Sequence, residues 1–349
     1  MTTQLSVGDR VAVLGGSGFI GSHVIPALVE AGYGVVSYDV YPPEHPLPEG
    51  VADVRGDIRD VAALTRALTG CDAVLNLAAA HHDFGLTPAT FESVNVDGAR
   101  AVTEAMVASG VANLCFYSSV AVYGDAAPRP DETTVPRPVN DYGRTKLAAE
   151  GVYRAWEADG EDRRLLVIRP AVVFGPRNYA NVYRMIHQVA RRRFFPVGQG
   201  SNRKSMIFVT NIVAAILHLW TQPPLRDVEV YNCVDQPDLT SSEILAEVYL
   251  GLGRRPPRWR LPLQPAIIAT KPFDLIARVT GRNLPITSER IRKLADSETS
   301  FAADRVRETG YVQPVKLRDG LATMVAWYLR EGRYVAAVEH LPPERPPIG

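Results

Sequence analysis

Residues 10–21 read RVAVLGGSGFIG. After Arg10 the run Val11–Leu14 carries only apolar side chains, as expected of a short strand buried on both faces of a parallel sheet. Glycines then follow at a spacing that suits a strand–turn–helix. A side chain at Gly15 would block the tight turn, and one at Gly18 would hold a pyrophosphate off the backbone. One at Gly21 would push the next helix off the sheet. Phe19 and Ile20 belong to the same turn. A helix predicted over 20–31, ended by Gly32, would offer free N–H groups and the positive end of its dipole to phosphates. The stretch predicts an α/β fold that opens on a dinucleotide site.

Outward from this stretch the pattern alternates. Strands are predicted in 34–40, 51–58, 73–79, 113–119 and 164–170, and helices over 60–69, 90–109 and 141–158. Such alternation implies right-handed βαβ crossovers and a doubly wound parallel sheet. After Pro170 it loosens. Pro and Gly cluster in 170–200, 206–220 reads as a strand end and a helix, and 254–286 mixes Pro, Arg and aliphatic residues. An amphipathic helical pattern returns in 303–330. The expected organisation is a Rossmann-type domain over 1–175, with 205–235 returning to it. A smaller substrate-binding lobe would comprise 176–204 and 236–335, and 336–349, with its four prolines, would be a loose tail.

Lys plus Arg and Asp plus Glu both number 38. The balance leaves no global field that would point to nucleic acid. Cys71, Cys115 and Cys233 show no metal-ligand spacing and read as free thiols of a reducing compartment. The N-terminus, MTTQLSVGDR, lacks the apolar run of a signal peptide. No apolar stretch reaches the roughly 18–20 residues a membrane span needs. The chain is expected in the cytoplasm.

Asp39 ends the second strand and could accept both ribose hydroxyls of NAD while repelling the 2′-phosphate of NADP. The residues after it, Val40 and Tyr41, bring no arginine, so NAD is the expected cofactor. Tyr142 and Lys146 stand four apart on a predicted helix and share a face. A neighbouring ammonium favours the phenolate of such a tyrosine, which can then take a proton from a hydroxyl as hydride leaves the carbon. Ser119, at a strand end, can hydrogen-bond the same oxygen.

GGSGFIG, GDIRD, LNLAAA, FYSSVAVYG, YGRTK and RPAVVFGP resemble, in order, the signatures of the extended short-chain dehydrogenase/reductase family, the NAD-dependent epimerases and dehydratases of nucleotide sugars. The resemblance covers about residues 8–330. It implies Asp57 and Ile58 at the adenine and Ala78, Ala79 and Ala80 along the cofactor, with Asn95 in support. Ser118 and the run Pro170, Val172, Val173 would lie near the nicotinamide. It also implies a homodimer paired through the helices near 95–109 and 141–158.

Sugar 4,6-dehydratases of this family place an Asp-Glu pair just after the strand-end Ser or Thr, and decarboxylating members keep a Glu there. Here Ser119 is followed by Val120, Ala121 and Val122, so the chemistry left is oxidation and re-reduction at one carbon, a 4-epimerisation. AAAHHDFGLTP, Asn181-Val182-Tyr183 and the segment Gly200–Met206 are similar to bacterial 4-epimerases of surface-polysaccharide synthesis, whose sugar is carried on diphospho-undecaprenol or UDP. That likeness places His81, His82, Ala121, Asn181, Arg203 and Lys204 at a diphosphate-linked hexose or N-acetylhexosamine. Where that subgroup has Glu-His-Arg, this chain has Ala80-His81-His82. The His pair has no evident third ligand, so no metal is expected. Residues 261–279, apolar with scattered cations, and Arg191–Phe195 could meet a membrane surface; a lobe core and a solvated helix end are the plainer readings. The competing function is a net NAD(P)-dependent dehydrogenase or ketoreductase acting on a sterol-like or natural-product alcohol.

Overall fold

The computed structural model describes residues 4–81, 85–126, 128–223, 228–280, 298–335, 341 and 343, the side chains of 272–280 excepted. The first half alternates as the pattern requires: β1 (Arg10–Leu14), α1 (Gly21–Glu30), β2 (Gly34–Asp39), β3 (Ala52–Arg55), α2 (Val61–Leu68) and β4 (Ala73–Asn76). After α3 (Pro88–Glu92) and a π-helical turn (Ser93–Asp97) come α4 (Gly98–Ser109), β5 (Asn113–Tyr117), α5 (Asp141–Ala158) and β6 (Arg164–Pro170). Then follow β7 (Val172–Phe174), α6 (Asn181–Ala190), β8 (Arg203–Lys204), β9 (Met206–Phe208), α7 (Val209–Thr221) and β10 (Val228–Cys233). The chain closes with β11 (Leu239–Thr240), α8 (Ser241–Gly251), α9 (Leu263–Thr280), α10 (Asp304–Glu308) and α11 (Leu317–Arg330).

Seven parallel strands form the central sheet in the order β10-β6-β5-β4-β1-β2-β3. Strand order reverses between β1 and β4, and the crevice outside their carboxyl ends is where such sheets bind ligands. Alternate residues of β1 serve different cores. Val11 and Val13 pack with α1 and α7, while Ala12 and Leu14 pack with α2, α4 and α5. Burial on both faces is the physical reason the strand reads as an unbroken apolar run. A third core, around Phe174, Ile186, Phe208, Leu245 and Met324, joins β7 and β9 to α6, α8 and α11. Phe19 and Ile20, in the glycine turn, rest against it, so the start of α1 touches the lobe.

The structure differs from the pattern in three places. The helix read over 90–109 is α3, a π turn and α4, because Asn95 turns inward there to bond the backbone of Ala80; such turns often mark functional positions. The helical pattern of 303–330 is two helices, interrupted by Gly310 at φ +87 and by Pro314, which cannot continue a helix. The strand read over 73–79 stops at Asn76, whose side-chain oxygen accepts the Ala78 N–H at 3.0 Å and bends the chain out of the sheet. Most of 336–349 lies outside the described residues. Of that stretch, the Leu341 carbonyl accepts from the Tyr41 hydroxyl and the Pro343 carbonyl from Arg59.

Candidate active site

The site starts with the glycine turn. Gly15 sits at φ +82, and a Cβ there would lie 2.8 Å from the Ala78 nitrogen. A Cβ on Gly21 would lie 2.3 Å from the Gly16 carbonyl oxygen. Gly18 is different: its backbone is exposed, and a Cβ would approach only the Gly15 oxygen, at 3.3 Å. Two glycines therefore let the chain close on itself, and the third leaves backbone open toward a phosphate at the start of α1. This is a cradle of the shape and polarity that a dinucleotide pyrophosphate requires.

Asp39 lies at the end of β2 and accepts the Ser17 and Tyr41 N–H groups, each at 3.0 Å. Burial pushes its carboxyl above the usual range, opposed by those bonds and by the charge of Arg55. It thus orders the glycine turn, a role that the sequence reading did not foresee. The reading also missed Arg55, sixteen residues along the sequence, whose guanidinium bonds the Tyr41 carbonyl, the Ser17 hydroxyl and Asp53. Only the β2–β3 register, Asp39 against Arg55, reveals it. Replacing Asp39 by Ala is expected to weaken NAD binding about 10- to 100-fold, the scale of hydrogen bonds to a charged group. Parallel titrations with NAD and NADP should show the preference between them shrinking.

At the predicted adenine end, the Asp57 carboxylate is held by Arg59, with contacts of 2.9 and 2.6 Å, and both side chains are almost fully buried. Ile58 packs in the core against Gly98. Ala78 and Ala79 are half-buried along the β4 exit, but Ala80 is fully buried and gives its N–H to Asn95 at 2.8 Å. Asn95 also donates to the Thr145 hydroxyl at 2.9 Å, which ties the β4 exit to the helix of Tyr142 and Lys146. Pro170 is buried at the end of β6, Val173 is half-buried and Val172 is 46% exposed.

The candidate proton-transfer residues lie near the carboxyl end of β5. Asn140 caps α5 by accepting the Gly143 N–H at 2.8 Å. A Cβ on Gly143 would stand 2.3 Å from the Ala121 carbonyl oxygen. Glycine at this position therefore lets the first turn of α5 lie directly on the turn that follows Ser119, bringing Tyr142 beside it. The Ser119 hydroxyl accepts the Ala121 N–H at 3.1 Å, leaving its own hydrogen to donate. Lys146 is 1% exposed, its Nζ 4.3 Å from the centre of the Phe116 ring. Burial lowers its pKa to about 7, with Glu150 one turn along opposing the shift. Tyr142 lies close enough to Tyr117 for its charge to add to the burial that pushes the Tyr117 phenol upward. Gly143→Ala is expected to displace Tyr142 and cut turnover up to about 100-fold, the cost of a misplacement near 1 Å. NAD binding, measured by equilibrium titration, should persist in that variant.

Ser118 differs from its neighbour. It is fully buried and donates to Glu150 Oε1 at 2.6 Å, so only its backbone is left for a cofactor. Glu150 in turn receives both ends of the Arg169 guanidinium, at 2.9 and 2.6 Å, and Arg169 also donates to the Tyr123 hydroxyl at 2.9 Å. This network, which no local pattern announces, lies one turn from Lys146, on which Glu150 acts.

The residues assigned to substrate scatter more widely. Ala121 adjoins Ser119 and Gly143. His81 is exposed beside the β4 exit and contacts the Ala79 carbonyl at 3.3 Å; His82 lies outside the described residues. Asn181 is exposed at the first turn of α6. Arg203 donates to the Asp238 carbonyl at 3.0 Å, and Lys204 is half-buried with its pKa lowered by burial against the pull of Glu298. Among the described residues, no three His, Cys, Asp or Glu side chains group as a metal site, and all three cysteines are buried free thiols.

Residues 11–233 match the NAD dependent epimerase/dehydratase family. The chain is 39% identical to the N-acetyl-alpha-D-glucosaminyl-diphospho-ditrans,octacis-undecaprenol 4-epimerase of Escherichia coli O157:H7, over 90% of this chain and 93% of that protein. It is 28% identical to a ceramide reductase of Caulobacter vibrioides (strain NA1000 / CB15N), over 92% and 95%. Among solved structures it resembles MoeE5 in complex with UDP-glucose and NAD, with a TM-score of 0.71 and 27% identity, covering 93% of this chain and 99% of that one. Glycine cradle, strand-end carboxylate and Ser–Tyr–Lys group occur together in a chain with these matches: it belongs to the NAD dependent epimerase/dehydratase family, and its cofactor is NAD.

Proposed function

We propose that the protein is a sugar 4-epimerase acting on an N-acetylhexosamine carried by a lipid diphosphate, with the UDP-linked sugar as the alternative carrier. The observation that carries the reading is the turn after Ser119. It is apolar, Val120-Ala121-Val122, and Glu150 beneath it is locked by Arg169 and Ser118. Among the described residues no carboxylate at that turn is available to eliminate water or to assist decarboxylation, which favours reversible oxidation at one carbon. The relative from Escherichia coli O157:H7 supports the lipid carrier.

NAD, when bound, supplies the hydride acceptor and donor; Gly15, Gly18, Gly21 and Asp39 would hold it. With NAD in place, Tyr142 as phenolate would take the proton of the C4 hydroxyl, and Ser119 would donate to that oxygen as it becomes a carbonyl. Lys146 favours the phenolate by charge. Tyr142 would return the proton to the same oxygen once the sugar had turned over, so nothing is oxidised or reduced overall. Ala121, His81, Asn181, Arg203 and Lys204 would face sugar or diphosphate, with 176–204 and 236–335 as the substrate lobe. Incubation without added cofactor, separately with undecaprenyl-diphospho-N-acetylglucosamine and UDP-N-acetylglucosamine, tests this by chromatography of the released hexosamines. Galacto product from the lipid substrate is expected. Stoichiometric consumption of added NADH or NADPH would replace this reading with a net reductase.

The enzyme would work as a homodimer. Val107 on α4 is 56% exposed, beside a shallow groove lined by Thr103, Val152, Ala155, Trp156 and Arg163. The Trp156 indole N–H is buried there with no hydrogen-bond partner among the described residues. Light scattering should give a dimer for the wild type and a monomer for Val107→Glu. Among the described residues no helix is long and apolar enough to cross a membrane, so contact with a lipid-borne substrate would be peripheral.

A further inference from the structure

Two stretches free of carboxylates meet on the lobe. No Asp or Glu occurs from Arg163 to Arg226, nor from Val248 to Phe273. The fold stitches them together. Leu261 N–H donates to the Pro196 carbonyl and Gly198 N–H to the Leu261 carbonyl, each at 2.9 Å, and Arg254 donates to the Val189 carbonyl at 2.9 Å.

The seam turns apolar side chains outward. Phe195 is 59% exposed and Trp259 53%, their ring centres 6.2 Å apart, with Leu261 and Ile268 exposed farther along the second stretch. An outward cluster of aromatic and aliphatic side chains marks an interaction surface more often than chance does. Arg192, Arg193, Arg255 and Arg258 are exposed around it, and no ion pair engages them among the described residues. The acids of the neighbouring α8, Glu243 and Glu247, are held by Arg318, and Glu298 acts on Lys204.

We propose that this surface docks the enzyme on an anionic lipid bilayer, Phe195 and Trp259 entering the headgroup layer and the arginines meeting lipid phosphates. Aromatic rings favour that depth, and the guanidinium fork suits phosphate. An acidic protein partner is the competing occupant, and it would leave the vesicle measurements below negative. Docking takes its purpose from the lipid-carrier reading above. The ten-residue α6 then separates Asn181 from the docking face by about 15 Å.

The test uses the full-length, NAD-loaded protein and vesicles of phosphatidylcholine with or without phosphatidylglycerol. Trp156, Trp220 and Trp327 are at most 6% exposed, so a change in tryptophan emission reports Trp259. Flotation with the phosphatidylglycerol vesicles and a blue shift are expected, both weakened by salt. Binding should fall about 10-fold or more in Arg192→Glu/Arg193→Glu, and the shift should vanish in Trp259→Phe. No flotation at low salt, or flotation indifferent to the arginine changes, would overturn the proposal. Assaying the lipid-linked sugar in detergent separates the two ideas. Vesicle binding without conversion leaves the surface standing and removes its proposed substrate; conversion without flotation does the reverse.

Discussion

Tyr142→Phe is expected to lower turnover by about 10²- to 10⁴-fold, the usual contribution of one positioned general acid–base group. The variant should still bind NAD with near wild-type affinity. The phenol is the only group the change removes, while the glycine cradle and Asp39 stand on β1, α1 and β2. The backbone of the first turn stays in place, since Gly143 still seats α5 on the Ala121 turn. Single-turnover measurement on the sugar substrate, beside a cofactor titration, separates the two effects. A Phe variant that keeps turning over would remove Tyr142 from the chemistry and leave Ser119 to be tested as the proton acceptor. Loss of NAD binding together with turnover would mean that Tyr142 serves the cofactor first.

The second large effect is on stability. Arg169 and Glu150 are 3% and 1% exposed and form a bidentate pair. Removing one member of a buried pair typically costs about 3–5 kcal/mol, because the other charge is stranded in a low-dielectric interior. Arg169→Met is therefore expected to lower the melting temperature by roughly 5–15 °C in a chain of this size. After that change Glu150 keeps the Ser118 hydroxyl and a 3.4 Å contact with Arg154, whose side chain is 45% exposed, too solvated to replace a buried guanidinium. Adding Glu150→Gln should restore part of the loss, since an amide tolerates burial better than an unpaired carboxylate. Calorimetry of both single variants and the double variant gives the coupling. Additive losses would show that the pair does not act as a unit.

Local sequence disclosed most of the cofactor half. The role of Gly21 follows from Gly15 and Gly16, a few residues away, so its spacing was enough, whereas the clearance that Gly15 provides is against Ala78 at the exit of a distant strand. The spacing of Tyr142 and Lys146 is likewise a property of one helix. The contacts that tune these groups are not local. Arg55 reaches Ser17 in the glycine turn through the register of β2 with β3. Asn95 reaches Ala80 by way of a π turn inside what reads as one long helix. The substrate residues were least legible, because Arg203 and Lys204 lie in a two-stranded sheet with β11 whose partner is far along the chain.

By itself, then, the sequence determined the parallel α/β fold and proposed the glycine cradle and the Ser–Tyr–Lys group, because hydrophobic periodicity and the spacing of residues on one turn or helix act over short stretches of chain. Only the tertiary structure decided that Ser118 turns inward to Glu150, that Gly143 exists to seat α5 on the Ser119 turn, and that two acid-free stretches far apart in sequence form one exposed basic and aromatic face. Those depend on which distant segments are pressed together. Burial decides which polar groups must find partners, and it is a property of the packed chain rather than of any window of it.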